Sequence, residues 1–360
     1  MKRILTLIML VAAAFSFAGA SHAGPVGERH LITADATAAL RDAQHRSQLR
    51  VTVWYPAAAG AVEERIDIGP PGHPLFRVGA VAPGAPFADD RRRPVILFSH
   101  GFGGTARMMG WFGTALARAG YVVVAVDHPG NNGLDRMTAA GAVLLWDRAQ
   151  DLRAALDAVK ADAAIGPHLD PARIGVSGYA IGGLTALAGV GARVDPNRFQ
   201  AFCLQHPTDG VCAPQKEFAL SIEDRRRALA SPELAAEAAR AGDDHAIPGV
   251  RAAFAIAPAF VQALPPEGLA RIKLPVAIIF GDADPLAAPD TNGLVAAKAI
   301  PHAELRVLPG VGHYDFLSSC TPAGRAAEPL CAAVKAPQDP THQAAIDMAL
   351  DFFKRTLGAP

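Results

Sequence analysis

The stretch RIGVSGYAIGGLTAL, Arg173 to Leu187, has the layout of a buried strand, a tight glycine-flanked turn and a helix start. At its centre the frame Gly178-Tyr179-Ala180-Ile181-Gly182 matches the pattern Gly-x-Ser-x-Gly, with alanine in the place of serine. Glycines bracket such a turn because the strand and helix backbones crowd together there, leaving no room for a Cβ.

Outward from this turn, apolar runs alternate with amphipathic segments. PVILFSHG, YVVVAVDHPG, RIGVSG, VRAAFAIAP, PVAIIFGDAD and AELRVLPG form a series of six. Runs this uniformly apolar suit strands buried on both faces, as in a parallel sheet covered by helices. Between them, RMMGWFGTALARAG, WDRAQDLRAALDAVKAD, DTNGLVAAKAI and THQAAIDMALDFFKRTL read as helices, the first stopped by Gly120. LRVTVWYPA, Leu49 to Ala57, reads as a further strand, and the Pro/Gly-rich Gly69 to Pro86 as an irregular surface loop. The alternation predicts one α/β domain over residues 24–360 with a mostly parallel, doubly wound sheet. Residues 193–249 hold no buried-strand pattern and are read as a helical insertion, a lid over the carboxyl edge of the sheet.

In such sheets reacting groups gather beyond the carboxyl ends of the strands. There the sequence offers Ser99-His100-Gly101-Phe102-Gly103-Gly104, the Ala180 turn, Gly281-Asp282-Ala283-Asp284 and Gly312-His313-Tyr314-Asp315. LFSHGFGG, GYVVVAVDHPG, GYAIGGLTAL, GDADPL and GVGHYDFL together resemble an α/β-hydrolase of the dienelactone hydrolase and platelet-activating-factor acetylhydrolase type. The resemblance runs from about Leu49 to the C-terminus, apart from the insertion. It implies that position 180 is the nucleophile site, His313 the general base, and Asp284 the acid that orients it. It also implies an oxyanion hole from the backbone N–H groups of Phe102 and Ile181.

Each residue also has a plainer reading. Asp284 precedes a proline and suits a turn, and Asp282 competes for the same role, with family spacing favouring Asp284. His100 and His128 are read as loop-ordering hydrogen-bonders. Trp146, Arg148 and Asp151 are read as braces for the site loops, and His206, His302 and His342 as surface or loop residues. Ser177 and Ser99 are poor stand-ins for the missing hydroxyl because neither occupies the turn apex, and alternation points Tyr179 elsewhere.

A methyl group cannot attack a carbonyl, so Ala180 disables acyl transfer as the chain is written. Three readings follow: an ester or lactone hydrolase frame inactivated at one position, a non-catalytic protein binding an ester, lipid or partner, or weak hydrolysis by water activated at His313. No metal, nucleotide or flavin motif appears, so no cofactor is expected, and a small-molecule ester or lactone is the expected partner. The formal net charge of zero offers no footprint for nucleic acid. Oligomeric state stays open.

The N-terminus, MKRILTLIMLVAAAFSFAGASHA, carries Lys2 and Arg3, an apolar run and a small-x-Ala site. It reads as a secretory signal cleaved after Ala23 rather than a membrane anchor, which predicts a secreted or periplasmic protein. Four cysteines allow three pairings. Cys203 with Cys212 and Cys320 with Cys331 is preferred, since each pair closes a short loop rich in turn residues, and disulfides suit an oxidising compartment.

Overall fold

The computed structural model describes residues 24–360; the segment read as an export signal lies outside the described residues. The described residues form eleven strands: β1 (Val26–Ala34), β2 (Gln48–Pro56), β3 (Glu64–Ile68), β4 (Phe76–Pro83), β5 (Arg93–Ser99), β6 (Val122–Asp127), β7 (Leu169–Tyr179), β8 (Val250–Ile256), β9 (Val276–Gly281), β10 (Glu304–Leu308) and β11 (Ser319–Cys320). Their order is β10-β9-β8-β7-β5-β6-β2-β1-β4-β11, with β3 paired to β4. The six runs of the sequence are β5 to β10, and every neighbouring pair among them is parallel.

The chain leaves β5 for β6 on one side, then doubles back to β7 on the other side of β5. Right-handed crossovers taken in opposite directions place their helices on opposite faces of the sheet. Helix Gly110–Arg118 packs with the closing helix Gln338–Leu357, and helix Asp147–Ala161 with helix Ile181–Ala188. The closing helix buries Ala345, Ala349, Phe352 and Phe353, a spacing that lays one stripe on the sheet. The reversal of strand order between β5 and β7 opens a crevice at their carboxyl ends. The glycine loop and the Ala180 turn both begin there.

The fold departs from what the sequence suggests in four of its elements. Residues Gly69 to Pro86 are not an irregular loop: β4 occupies Phe76–Pro83 and pairs with β3, β1 and β11. Its prolines and glycines mask an alternation in which Phe76 and Val78 are buried and Arg77 and Gly79 are exposed. Strand β10 is not buried on both faces, because it is the sheet edge; Leu305 and Val307 stay exposed. In SPELAAEAARAG only Ala235–Ala238 is α-helical. His342 is not a surface residue but lies buried on the closing helix, its ring stacked 3.8 Å from that of Trp111.

Residues 193–249 carry helices Pro196–Gln205, Ile222–Leu229 and Ala235–Ala238. Asp195 caps the first by accepting from the N–H groups of Asn197 and Arg198, and Ser221 with Asp224 forms a reciprocal cap on the second. Disulfides join Cys203 to Cys212 and Cys320 to Cys331. Among the described residues no helix is long and apolar enough to cross a membrane.

Candidate active site

Strand β7 ends at Tyr179, the helix begins at Ile181, and Ala180 joins them with φ 56° and ψ −119°. That conformation costs a residue bearing a Cβ about 1–3 kcal/mol and persists only where the surroundings enforce it. Here the Ala180 N–H donates to Ile256 O, and its carbonyl accepts from Gly183 and Ala259. A Cβ on Gly178 would stand 2.0 Å from Gly182 O, and one on Gly182 would stand 2.0 Å from Ser99 O. Both glycines are therefore dictated by contact between β7, its helix and the end of β5.

Ala180 and Ile181 line a chamber together with Phe102 and His313. The space open to water-sized occupants is about 70 Å³. His313 opens a short 3-10 turn after β10, and Asp315 fastens that turn by accepting from the N–H groups of Gly312, Lys335 and Ala336. His313 Nδ1 stands 2.6 Å from Asp284 Oδ2. A carboxylate only accepts, so Nδ1 carries a proton toward it, and in the neutral ring the lone pair falls to Nε2. Burial alone would raise the Asp284 carboxyl, but the charge and hydrogen bond of His313 and the N–H groups of Ala287 and Leu286 hold it below its ordinary value. Asp282 lies elsewhere, accepting from Gly310 N–H at 2.7 Å.

The glycine loop is held by its own bonds. Gly103 N–H donates to Asn131 Oδ1, and Gly104 N–H to Gly101 O. The N–H groups of Phe102 and Ile181 find no protein acceptor among the described residues, the latter because it heads a helix. Two unpartnered donors thus flank the chamber.

Tyr179 departs from its expected direction. Its ring lines the chamber, centred 5.1 Å from that of His313, and its hydroxyl donates to His313 O at 3.0 Å. Strand alternation sends it away from the turn apex but toward the turn that carries His313. His206 and His302 are exposed.

Beneath the loop lies a Ser–His–Asp arrangement that no single stretch of sequence announces. Ser99 Oγ donates to His128 Nε2 at 2.8 Å, and His128 Nδ1 donates to Asp151 Oδ2 at 2.6 Å. All three are fully buried, which withholds Ser99 Oγ from any substrate. Arg41 grips Asp151 with both terminal nitrogens, at 2.9 and 2.6 Å. Arg148 donates to Ser99 Oγ and to His100 O, tying the helix to the glycine loop. Burial keeps His128 and His100 neutral by pushing both well below the ordinary histidine range, with the nearby arginine charges adding to it. Trp146 shares only the packing of this region, and Ser177 Oγ is buried without a partner. Among the described residues no group of three or more His, Cys, Asp or Glu side chains is gathered as a metal ion would require.

By sequence, no curated protein matches this chain. A solved ferulic acid esterase from Streptomyces cinnamoneus superposes with a TM-score of 0.59 at 22% identity, over 92% of this chain and 90% of that one. At that identity the likeness is one of fold. The Alpha/beta hydrolase family model matches residues 96–327, more than half of the chain, from the core of β5 past the His313 turn. The strand order, the crevice between β5 and β7 and this match agree: the chain belongs to the alpha/beta hydrolase family.

Proposed function

We propose that this chain carries the site of a carboxylic ester or lactone hydrolase, of the dienelactone hydrolase and platelet-activating-factor acetylhydrolase kind, with Ala180 in the nucleophile's place. As it stands, it binds an ester without turning it over. One observation carries this reading: an alanine is held at φ 56° between two obligatory glycines, beside a chamber that His313 enters already paired to Asp284.

With a serine at position 180, the chemistry follows from these residues. The hydroxyl oxygen attacks the ester carbonyl while His313 Nε2 takes its proton, and Asp284 stabilises the imidazolium. The carbonyl oxygen becomes an oxyanion facing the N–H groups of Phe102 and Ile181. The His313 proton then passes to the leaving alkoxide, and an acyl-enzyme remains for water to hydrolyse. Without the hydroxyl, the covalent route is lost, on the order of 10⁶ in turnover. The same reading makes residues 193–249 a lid and residues 1–23 an export signal, with two disulfides suited to an oxidising compartment.

The test is Ala180→Ser. The revertant is expected to hydrolyse short nitrophenyl esters and to be labelled by a fluorophosphonate, both effects abolished by adding His313→Ala. A folded revertant that does neither overturns the reading of the site as a hydrolase; if it still binds esters, the pocket is a binding site alone.

A further inference from the structure

The chamber walls are mostly apolar, yet one carboxyl stands among them. Glu217, from the loop between the Cys203–Cys212 disulfide and helix Ile222–Leu229, is the only acidic side chain lining the chamber among the described residues. It reaches both flanks. On the oxyanion side it packs onto Gly103, where a Cβ would stand 2.6 Å from Glu217 Cβ. On the histidine side it receives a long 3.5 Å bond from the Tyr314 hydroxyl, next in sequence to His313. It also lines a second hollow, with Asn132, Met137 and Phe218, so the carboxyl sits where the two spaces meet.

This carboxyl is lightly held and partly open to solvent. Among the described residues no lysine, arginine or histidine lies within ion-pair distance of it. Neighbouring Lys216 is instead placed over the Tyr314 ring at 5.7 Å, and Arg225 over the Phe102 ring at 5.7 Å. Burial raises its pKa above the ordinary glutamate value, outweighing the bond from its own backbone N–H and the attraction of His313 and Lys216. Glu217 is half-buried, so the carboxylate oxygen that no protein group donates to is left to water or to a ligand's donor. Lys216 and Arg225 stand outside the chamber lining, but their charges behind its aromatic rings repel a ligand cation, which favours a neutral donor at the carboxyl.

We infer that Glu217 is a specificity-determining residue that selects esters carrying a neutral hydrogen-bond donor, such as a hydroxyl, on the arm that reaches it, and rejects esters carrying a carboxylate there. The inference rests on the ester reading of the pocket. An ionised Glu217 accepts the hydroxyl proton in a charge-assisted bond, worth roughly ten- to a hundredfold in affinity. A ligand carboxylate meets like charge instead.

Because the chain with Ala180 does not consume its ligand, binding is measured on the protein as it is. Calorimetry compares short esters with a terminal hydroxyl, on the acyl or the alcohol arm, with their deoxy counterparts and with the corresponding half-esters of dicarboxylic acids. The expected result is a roughly tenfold or greater preference for one hydroxylated ester over its deoxy form, lost in Glu217→Leu. Glu217→Gln keeps a neutral acceptor, so it is expected to retain part of the hydroxyl preference while binding the half-ester more tightly. Equal affinity for hydroxylated and deoxy esters, or a preference that survives Glu217→Leu, overturns the role of Glu217 and leaves the ester reading standing. If no ester binds, the ester reading falls and this inference falls with it.

Discussion

Replacing Asp151 by asparagine tests how the ground beneath the site is held. The change preserves size and removes one charge. Asp151 Oδ1 accepts from Arg41 Nη2 at 2.6 Å, while Oδ2 accepts from Arg41 Nη1 at 2.9 Å and from His128 Nδ1 at 2.6 Å. Every oxygen is in use, so an amide NH₂ in either position meets a donor. Removing one partner of a buried ion pair costs about 3–5 kcal/mol, because the other charge stays buried. Arg41 keeps Asp35 at 3.0 Å, which places the expected loss near the lower end, about 3 kcal/mol. The assay is urea unfolding with the disulfides intact, read as a lower midpoint at unchanged slope. Asp157→Asn, at an exposed position on the same helix, serves as control and is expected to stay within about 0.5 kcal/mol. A loss below about 1 kcal/mol for Asp151→Asn would refute the claim that this pair is a buried, fully used contact.

Gly182→Ala is expected to destabilise the fold by about 3 kcal/mol or more, since the new methyl meets the backbone at Ser99 O and nothing flexible can yield; a thermal melt within a degree or two of the parent would contradict this. For Asp284 the folded pKa lies below its ordinary value of 3.8. Its contribution to stability is therefore fully present above about pH 4 and lost as pH falls through the lower folded value. Urea midpoints measured from pH 2 to 6 are expected to fall more steeply at the acid end for the parent than for Asp284→Asn, and parallel profiles would count against it.

What could be read from the sequence follows from how locally each feature is encoded. The strands β5 to β9 are continuous apolar runs, and the residues that follow them sit at the crevice because the chain reverses direction there. Strand β1 is harder to see: its outer half alternates half-buried with exposed, and the exposed positions carry His30, Ile32 and Ala34, so polarity does not follow burial there. The Ser99–His128–Asp151 arrangement is hidden for another reason. Arg41 and Asp151 are 110 residues apart, and no motif records that a short helix near the N-terminus presses against the crossover helix. His342 is a similar case, since its stacking partner Trp111 belongs to a distant helix. Burial also lowers the His342 pKa to about 4, so it acts there as a neutral donor to Leu317 O. Glu217 gives no local signal either, being one charged residue in a loop.

The size of the chamber has a consequence for any measured affinity. With about 70 Å³ available to water-sized occupants, the space is far below the several hundred cubic ångströms that a drug-sized ligand fills. An ester larger than a few heavy atoms either extends past Glu217 into the adjoining hollow of about 860 Å³ or binds a rarer, wider arrangement of the same chain. In the second case its apparent dissociation constant is the intrinsic one divided by the fraction of molecules open at that moment. A substitution that loosens the wall around Glu217 would then tighten every ligand by the same factor, whatever its chemistry, whereas a true contact would act on some ligands and spare others.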